Sequence, residues 1–461
     1  MVKKELEPFA KWFDERKSEI MDNYFKYLRF PSISTHPDRV QDSLECAQFL
    51  IEYIKKMGLE VDLIETSKEP FIFAQNLKAG PDKPTLLLYH HYDVQPVDPL
   101  ELWDSAPFEP EIRDGKIFAR GASDNKGQGF YTLTAIDAFL QLKQMSNFNL
   151  KLVIEGGEEC GSEGLSSALP SHRDLFKADY LLIVDSNMED LSTPQICLGM
   201  KGIACFDLEV ITSDSDLHSG EWGGISANSI KVLIKALSSV TDDEGGIIID
   251  DFYNDVVDPT PDEKKIFFSR DLDEVKLKKQ HGIRAFAKEP GRSLIESGWM
   301  RPTFEINGIT GGYSGDGFKT VIAAKASAKI SFRTVANQDP KRIELMFHDH
   351  LEKVIPKGVE WNLHAHGAGR YMKSDLDCLI VEICKQAYSD VFEKECQLRM
   401  IGGSVPVAAD IADASGAKGI AIGTAISDNQ IHAPNEFFYY ESFEKGFLTI
   451  TRIFDILENS Q

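Results

Sequence analysis

Apolar residues recur at helical spacing from about Pro8 to Arg29, through Phe9, Trp12, Phe13, Ile20, Tyr24 and Leu28, and again from about Ser43 to Met57, where Gly58 marks a stop. The pattern then shortens. Glu60 to Glu65, Phe71 to Asn76 and Thr85 to Tyr89 read as strands, and the last of them delivers His91 and Asp93 into a loop. Helical spacing resumes from about Gly127 to Met145. The apolar runs Leu150 to Glu155 and Tyr180 to Val184 stop at an acid or just before one, as buried parallel strands do.

From about Ile203 the texture changes. Ala204 to Thr212 and Ala323 to Thr334 alternate like strands of a sheet with one covered face, and between them lie a helix near Ser226 to Val240 and an acidic, proline-bearing stretch from Asp242 to about Pro302. A long helix near Ser374 to Phe392, the Gly402-Gly403-Ser404-Val405-Pro406 turn and a strand from Gly416 to Ile426 return to the style of the first half. The expectation is an α/β protein: a mixed, mostly parallel sheet flanked by helices, built from residues 1–204 and 376–461 and interrupted by an inserted α+β domain at 205–375. The length of 461 residues, about three times a typical domain, suits two domains.

Composition narrows the partners. With 73 acidic against 50 basic residues the formal charge is -23. No surplus of Lys and Arg exists to neutralise phosphates, which argues against nucleic acid or an anionic membrane as a bulk partner. The N-terminal stretch runs straight into an amphipathic pattern without a signal-peptide or membrane-spanning run, so a cytoplasmic protein is expected. Seven cysteines without a Cys-x-x-Cys spacing suggest reduced thiols rather than a disulfide framework. Cys160 stands out only because it adjoins Glu159.

The candidate chemistry sits at the ends of the expected strands, where open α/β sheets present residues to a ligand. In His91-Tyr92-Asp93, the histidine can ligate a metal through one ring nitrogen while the aspartate accepts a hydrogen bond from the other. His90 beside it is a decoy. Asp124 lies in a Gly-flanked turn before a helix, where a carboxylate can bridge two cations or simply cap the helix. Glu158-Glu159 is harder to explain without a cation, because adjacent carboxylates after a buried strand repel; one can ligate while the other serves as general base. Asp185 ends a strand and His432 follows another. Two histidines and three carboxylates form a mixed N/O set suited to a pair of divalent ions, zinc foremost, with manganese or cobalt as the other options.

These motifs, His91-Tyr92-Asp93-Val94-Gln95-Pro96, Arg120-Gly121-Ala122-Ser123-Asp124-Asn125-Lys126-Gly127, Glu155 through Ser162, Asp216-Leu217-His218-Ser219-Gly220, Gly402 through Pro406 and His432, run in an order that resembles the M20 metallopeptidases and deacylases, in particular their cytosolic dipeptidase and carnosine dipeptidase branch. The resemblance spans nearly the whole chain. It implies a zinc-peptidase-like catalytic domain with an inserted lid and dimerisation domain. It also implies that Asp124 bridges two metals, with Glu159 and His432 completing one site and His91 and Asp185 the other; Asp93 would orient His91 and Glu158 would be the general base and acid. Aspartate at 185 is the form common in the family's aminopeptidases and dipeptidases, whereas many deacylases carry Glu there.

The resemblance further implies that His218 polarises the scissile carbonyl, often across a dimer interface, and that Arg333 captures a free carboxylate with help from Gly402, Gly403, Ser404 and Thr320. The planar guanidinium of Arg333 and the N–H groups of a Gly-Gly-Ser turn suit that task. Cys160, where Ser is common, and Ala433-Pro434 after the last histidine depart from the relatives without removing a ligand or the base. The expected activity is hydrolysis of small peptides, foremost dipeptides with a free C-terminal carboxylate, by a homodimer. The alternatives are deacylation of N-acyl amino acids and a catalytically silent scaffold.

Overall fold

The computed structural model describes residues 3–267 and 272–460. The chain forms two compact units, one of Met1–Gly199, Lys373–Arg399 and Val407–Gln461, the other of Met200–Met372 and Met400–Pro406.

The first unit is built on a mixed sheet, nine-stranded among the described residues. Its centre is parallel: Asn149–Glu155, Thr85–His91, Tyr180–Val184 and Lys418–Ile422 lie side by side in that order. Phe71–Asn76 and Glu60–Ile64 extend one edge antiparallel. The central strands are buried almost throughout, so both faces need cover. Helices Glu7–Leu28, Lys126–Leu142 and Tyr440–Asn459 pack on one another through aromatic rings, with Phe9 on Phe139 at 5.9 Å and Phe13 on Phe447 at 4.9 Å between centroids. The closing helix Tyr440–Asn459 has no counterpart in the sequence reading. It buries Thr449, Thr451, Arg452 and Asp455, and the Arg452 guanidinium is held by Asp390 at 2.8 Å and Asp455 at 2.6 Å. Buried polar groups of that kind blur a hydrophobic period.

The second unit holds a four-stranded antiparallel sheet in the order Thr303–Gly311, Lys325–Thr334, Gly202–Ile211 and Glu360–Gly369. Burial along Gly202–Ile211 alternates strictly, because one face is covered by helices Ser229–Ser238 and Pro340–Val354. Phe206, Phe332, Phe347, Leu233 and Leu237 form the core between them. The helix expected from Ser226 starts at Ser229 because the Asn228 side chain accepts the Ile230 and Lys231 N–H groups at 3.0 and 3.1 Å. The single strand expected over 416–426 is two: Lys418–Ile422 in the main sheet and Ala425–Ile426 beside Asn187–Met188.

Candidate metal centre

The four parallel strands of the first unit end at the same edge, and three of them deliver candidate ligands there. His91 is the last residue of Thr85–His91, Asp185 follows Tyr180–Val184, and Glu158 and Glu159 lie in a short 3-10 turn after Asn149–Glu155. This is the crevice that an open α/β sheet leaves beyond its strand ends. Asp124 enters from the loop before helix Lys126–Leu142. His432 comes from the loop before strand Phe437–Tyr439, with φ at 61°.

Asp124 stands at the middle of the group. Its Oδ1 lies 3.2 Å from His91 Nε2 and its Oδ2 lies 3.0 Å from His432 Nε2. His432 Nε2 is also 3.3 Å from Glu159 Oε2, and His91 Nε2 is 3.9 Å from Asp185 Oδ2. Donor atoms of His91, Asp124 and Glu159 all fall within 4.8 Å of one another. Asp93 takes the other side of His91: its Oδ1 and its carbonyl oxygen lie 3.2 and 3.1 Å from Nδ1, which commits that nitrogen to carry the proton and leaves Nε2 as a donor atom. Asp93 also accepts the N–H groups of Glu158 at 3.2 Å and Glu159 at 3.0 Å and the Ser34 hydroxyl at 2.6 Å, so one buried carboxylate fixes both the histidine and the acidic turn.

Five carboxylates against two imidazoles leave the centre short of positive charge. Burial, opposed by His91 and reinforced by Asp185, Glu159 and Asp124, pushes the Glu158 carboxyl well above its ordinary value. Burial and Asp124 likewise raise Glu159, and lift Asp185 to about 7. Hydrogen bonds that its ring donates to Asp124 and Glu159 raise the His432 imidazole to about 10. Burial works against the charge of His91 too, but Asp124 and Asp93 hold it well above the usual imidazole range. His90, by contrast, is held down to about 3 by burial, both ring nitrogens lack partners among the described residues, and it is a core residue. Within the ligand set, the buried Glu159 Oε1 has no hydrogen-bond partner among the described residues. An orphaned carboxylate oxygen among converging N and O donors fits divalent cations, and His91, Asp124, Glu159, Asp185 and His432 would hold them.

Several supporting residues escaped the sequence reading. Glu436 is fully buried, and its carboxylate accepts the N–H groups of Gly121, Ser123 and Asp124 at 2.9, 2.8 and 3.0 Å while pairing with Arg120 Nη1 at 2.8 Å. It folds the loop that presents Asp124. Asn125 Nδ2 donates to Asp185 Oδ1 at 2.8 Å, and Gln95 Nε2 to Glu159 Oε2 at 2.8 Å. The one available signal was an acid, Glu436, entering the apolar pair Phe437-Phe438.

In the second unit, Arg333 lies on Lys325–Thr334, and its Nη1 donates to the Ser404 hydroxyl at 2.9 Å. Gly402 and Gly403 precede Ser404 in the returning segment 400–406. A Cβ at Gly402 would sit 2.9 Å from the Gly298 carbonyl oxygen, so the close approach requires glycine there. His218 is exposed and its Nδ1 accepts the Gly220 N–H at 3.0 Å. Thr320 joins it: Ser219 N–H donates to the Thr320 carbonyl at 3.0 Å, and His218 pairs with Val321. Cys160 is exposed, and among the described residues no helix is long and apolar enough to cross a membrane.

Comparison with known proteins finds relatives over most of the chain. The model of peptidase family M20/M25/M40 matches residues 87–455. The chain is 28% identical over 461 residues to a Cys-Gly metallodipeptidase of Schizosaccharomyces pombe, covering 96% of this chain and 97% of that protein. It is 27% identical over 452 residues to a human Beta-Ala-His dipeptidase, covering 94% and 88%. Among solved structures, an M20 family metallo-carboxypeptidase from Sulfolobus solfataricus superposes with a TM-score of 0.88 at 30% identity, covering 95% of this chain and 99% of that one. With four-fifths of its length matched, the chain belongs to peptidase family M20/M25/M40.

Proposed function

We propose that the chain is a metal-dependent dipeptidase that hydrolyses small peptides with a free C-terminal carboxylate. The observation that carries this is the seating of Asp124 between His91 and His432, with Glu158 and Glu159 beside it. His91 and Asp185 would hold one divalent cation and His432 and Glu159 the other, with Asp124 shared; zinc, manganese or cobalt suits the donors. When bound, such a pair lowers the pKa of a water and polarises the scissile carbonyl.

The remaining steps fall to side chains. Glu158, a carboxylate beside the ligands but not counted among them, would take the proton from the attacking water and pass it to the leaving nitrogen. His218 keeps Nδ1 as an acceptor for Gly220, so its proton sits on Nε2, free to donate to the oxygen that gains charge. Arg333, with Ser404 and the backbone of Gly402 and Gly403, would take the C-terminal carboxylate, and Thr320 would act beside His218. The dipeptidases of fission yeast and human among the relatives, and the carboxypeptidase among the structures, all support an exopeptidase reading.

A homodimer is supported by apolar side chains left exposed on the second unit, Ile306 and Ile309 on the edge strand Thr303–Gly311 and Ile234 on helix Ser229–Ser238. Seven free cysteines fit a cytoplasmic setting.

The test is a panel of Cys-Gly, Ala-Ala and β-alanyl-His against N-acetylated amino acids, with metal-loaded protein and with chelator. Chelator-sensitive cleavage of the free dipeptides is expected. Preference for the N-acyl amino acids would replace this reading with a deacylase, and cleavage that survives the chelator would remove the metals from it.

A further inference from the structure

In the second unit Lys201 and Arg333 bear on each other, and among the described residues neither is paired with a carboxylate. Lys201, immediately before strand Gly202–Ile211, is only 1% exposed. Its backbone is pinned on both sides by the returning segment: its N–H donates to the Ile401 carbonyl at 3.3 Å, and its carbonyl accepts the Ser404 hydroxyl proton. That same hydroxyl accepts from Arg333, which stands opposite Ile203 in the sheet. One serine therefore ties the lysine's backbone to the arginine's side chain.

No carboxylate contacts either cation among the described residues. The acids that bear on Lys201 are Glu289 and Glu305. Glu289 is already shared by Arg292 at 2.9 Å and Arg301 at 3.2 Å, and Glu305 is exposed on its edge strand. Burial, then the nearby Arg333, pull the Lys201 ammonium down to about 7, and burial also lowers Arg333. A buried cation without a counter-charge is costly, and two together are more so. A fold that ties the backbone of the one and the guanidinium of the other to the same hydroxyl, and leaves both without a paired carboxylate among the described residues, is arranged for an anion that arrives with a ligand.

We propose that Lys201 is a second carboxylate-binding residue, so that the C-terminal carboxylate of the substrate is held between Arg333 and Lys201, with the Ser404 hydroxyl beside it. The proposal rests on the exopeptidase reading above and adds to it a cation that the sequence motifs did not mark. An arriving carboxylate restores the charge on Lys201, so above pH 7 binding takes up a proton. The other groups facing Lys201 are Arg333 from Lys325–Thr334, Glu305 from Thr303–Gly311, and Glu289 and Arg301 from the segment before Thr303; Cys205 and Glu305 bear on Arg333. None of the segment 400–406 titrates.

The experiment compares metal-loaded wild type, Lys201→Met and Lys201→Arg on Ala-Ala from pH 6 to 9, with binding of free alanine and alaninamide measured by calorimetry. In Lys201→Met, KM for Ala-Ala at pH 6.5 rises by about ten- to a hundredfold, the loss expected for one charge-assisted contact, with a far smaller change in kcat. Lys201→Arg keeps the low KM and loses the rise of KM above pH 7 that wild type shows. Alanine binding weakens in Lys201→Met, whereas alaninamide binding does not. Equal KM and equal alanine affinity in wild type and Lys201→Met would overturn the proposal, as would a loss that falls on kcat alone and is not rescued by arginine. If wild type fails to cleave Ala-Ala, the dipeptide reading falls, and the alanine and alaninamide comparison still decides Lys201.

Discussion

Asp124 Oδ2 lies 3.0 Å from His432 Nε2, although 308 positions separate the two residues in the chain. The other oxygen of the same carboxylate faces His91. A single side chain with an imidazole near each oxygen would suit a carboxylate shared by two cations, and its neighbours are held in place in turn. Glu436 folds the loop from the N–H side, Asn125 steadies Asp185, and Asp93 sets the tautomer of His91.

Glu158 is assigned the proton and not the metal. Glu158→Ala should therefore lower kcat by about 10²- to 10⁴-fold, the usual contribution of a general acid–base group. Metal content, measured by elemental analysis, should stay at the wild-type level. Near-normal turnover would take the role from Glu158, and loss of metal would make it a ligand.

Asp93 touches no cation in this account but orients His91 and the Glu158-Glu159 turn together. Asp93→Ala should weaken metal affinity by about 10- to 100-fold, the cost typical of removing the group that holds a ligating histidine. Competition with a chelator of known affinity measures it. An unchanged affinity would show that packing alone orients the ring.

Glu436 and Arg120 form a buried pair whose carboxylate also accepts three backbone N–H groups. Glu436→Gln keeps the shape and strands the guanidinium. Urea unfolding of metal-free protein should show a loss of about 3–5 kcal/mol, as for other broken buried pairs. A loss under about 1 kcal/mol would mean that Arg120 finds another anion.

Lys201 gives stability a pH dependence of definite sign. Its folded value, about 7, lies below the ordinary lysine value, so between the two the unfolded chain binds the proton and the folded chain does not. Stability attributable to Lys201 therefore rises with pH across that window, by at most about 1.4 kcal/mol per pH unit. Lys201→Met should be the more stable protein at pH 6, with the difference shrinking toward pH 10, in urea titrations of metal-free samples. Parallel profiles would contradict the depressed value.

Much of the first unit was legible because its strands are short, apolar and end on acids or histidine. Phe71–Asn76 and Tyr180–Val184 lie where their runs of apolar residues put them. The alternation that marked Ala204 to Thr212 follows from one covered face. What stayed hidden was carried by polar residues in buried places. The helix Tyr440–Asn459 spends part of its inner face on Arg452 and Asp455, whose charges carry no sign of burial in the sequence until Arg452 is seen paired with both Asp390 and Asp455. Glu436 and Lys201 were passed over for the same reason: a charge in sequence looks exposed, and only the fold supplies the partners, or the lack of them. The excursion of residues 400–406 into the second unit has no local signal, because a Gly-Gly-Ser turn looks the same wherever it docks.

The most direct test titrates manganese or zinc into chelated protein while following Ala-Ala hydrolysis, for wild type and for Asp124→Asn. The account predicts no activity without metal, full activity at two equivalents per chain, and loss of more than a hundredfold in the variant, beyond the range of about 10- to 100-fold seen for residues that merely support ligands. Full activity at one equivalent, or a variant that still takes up two ions and turns over normally, would contradict the shared carboxylate at its centre.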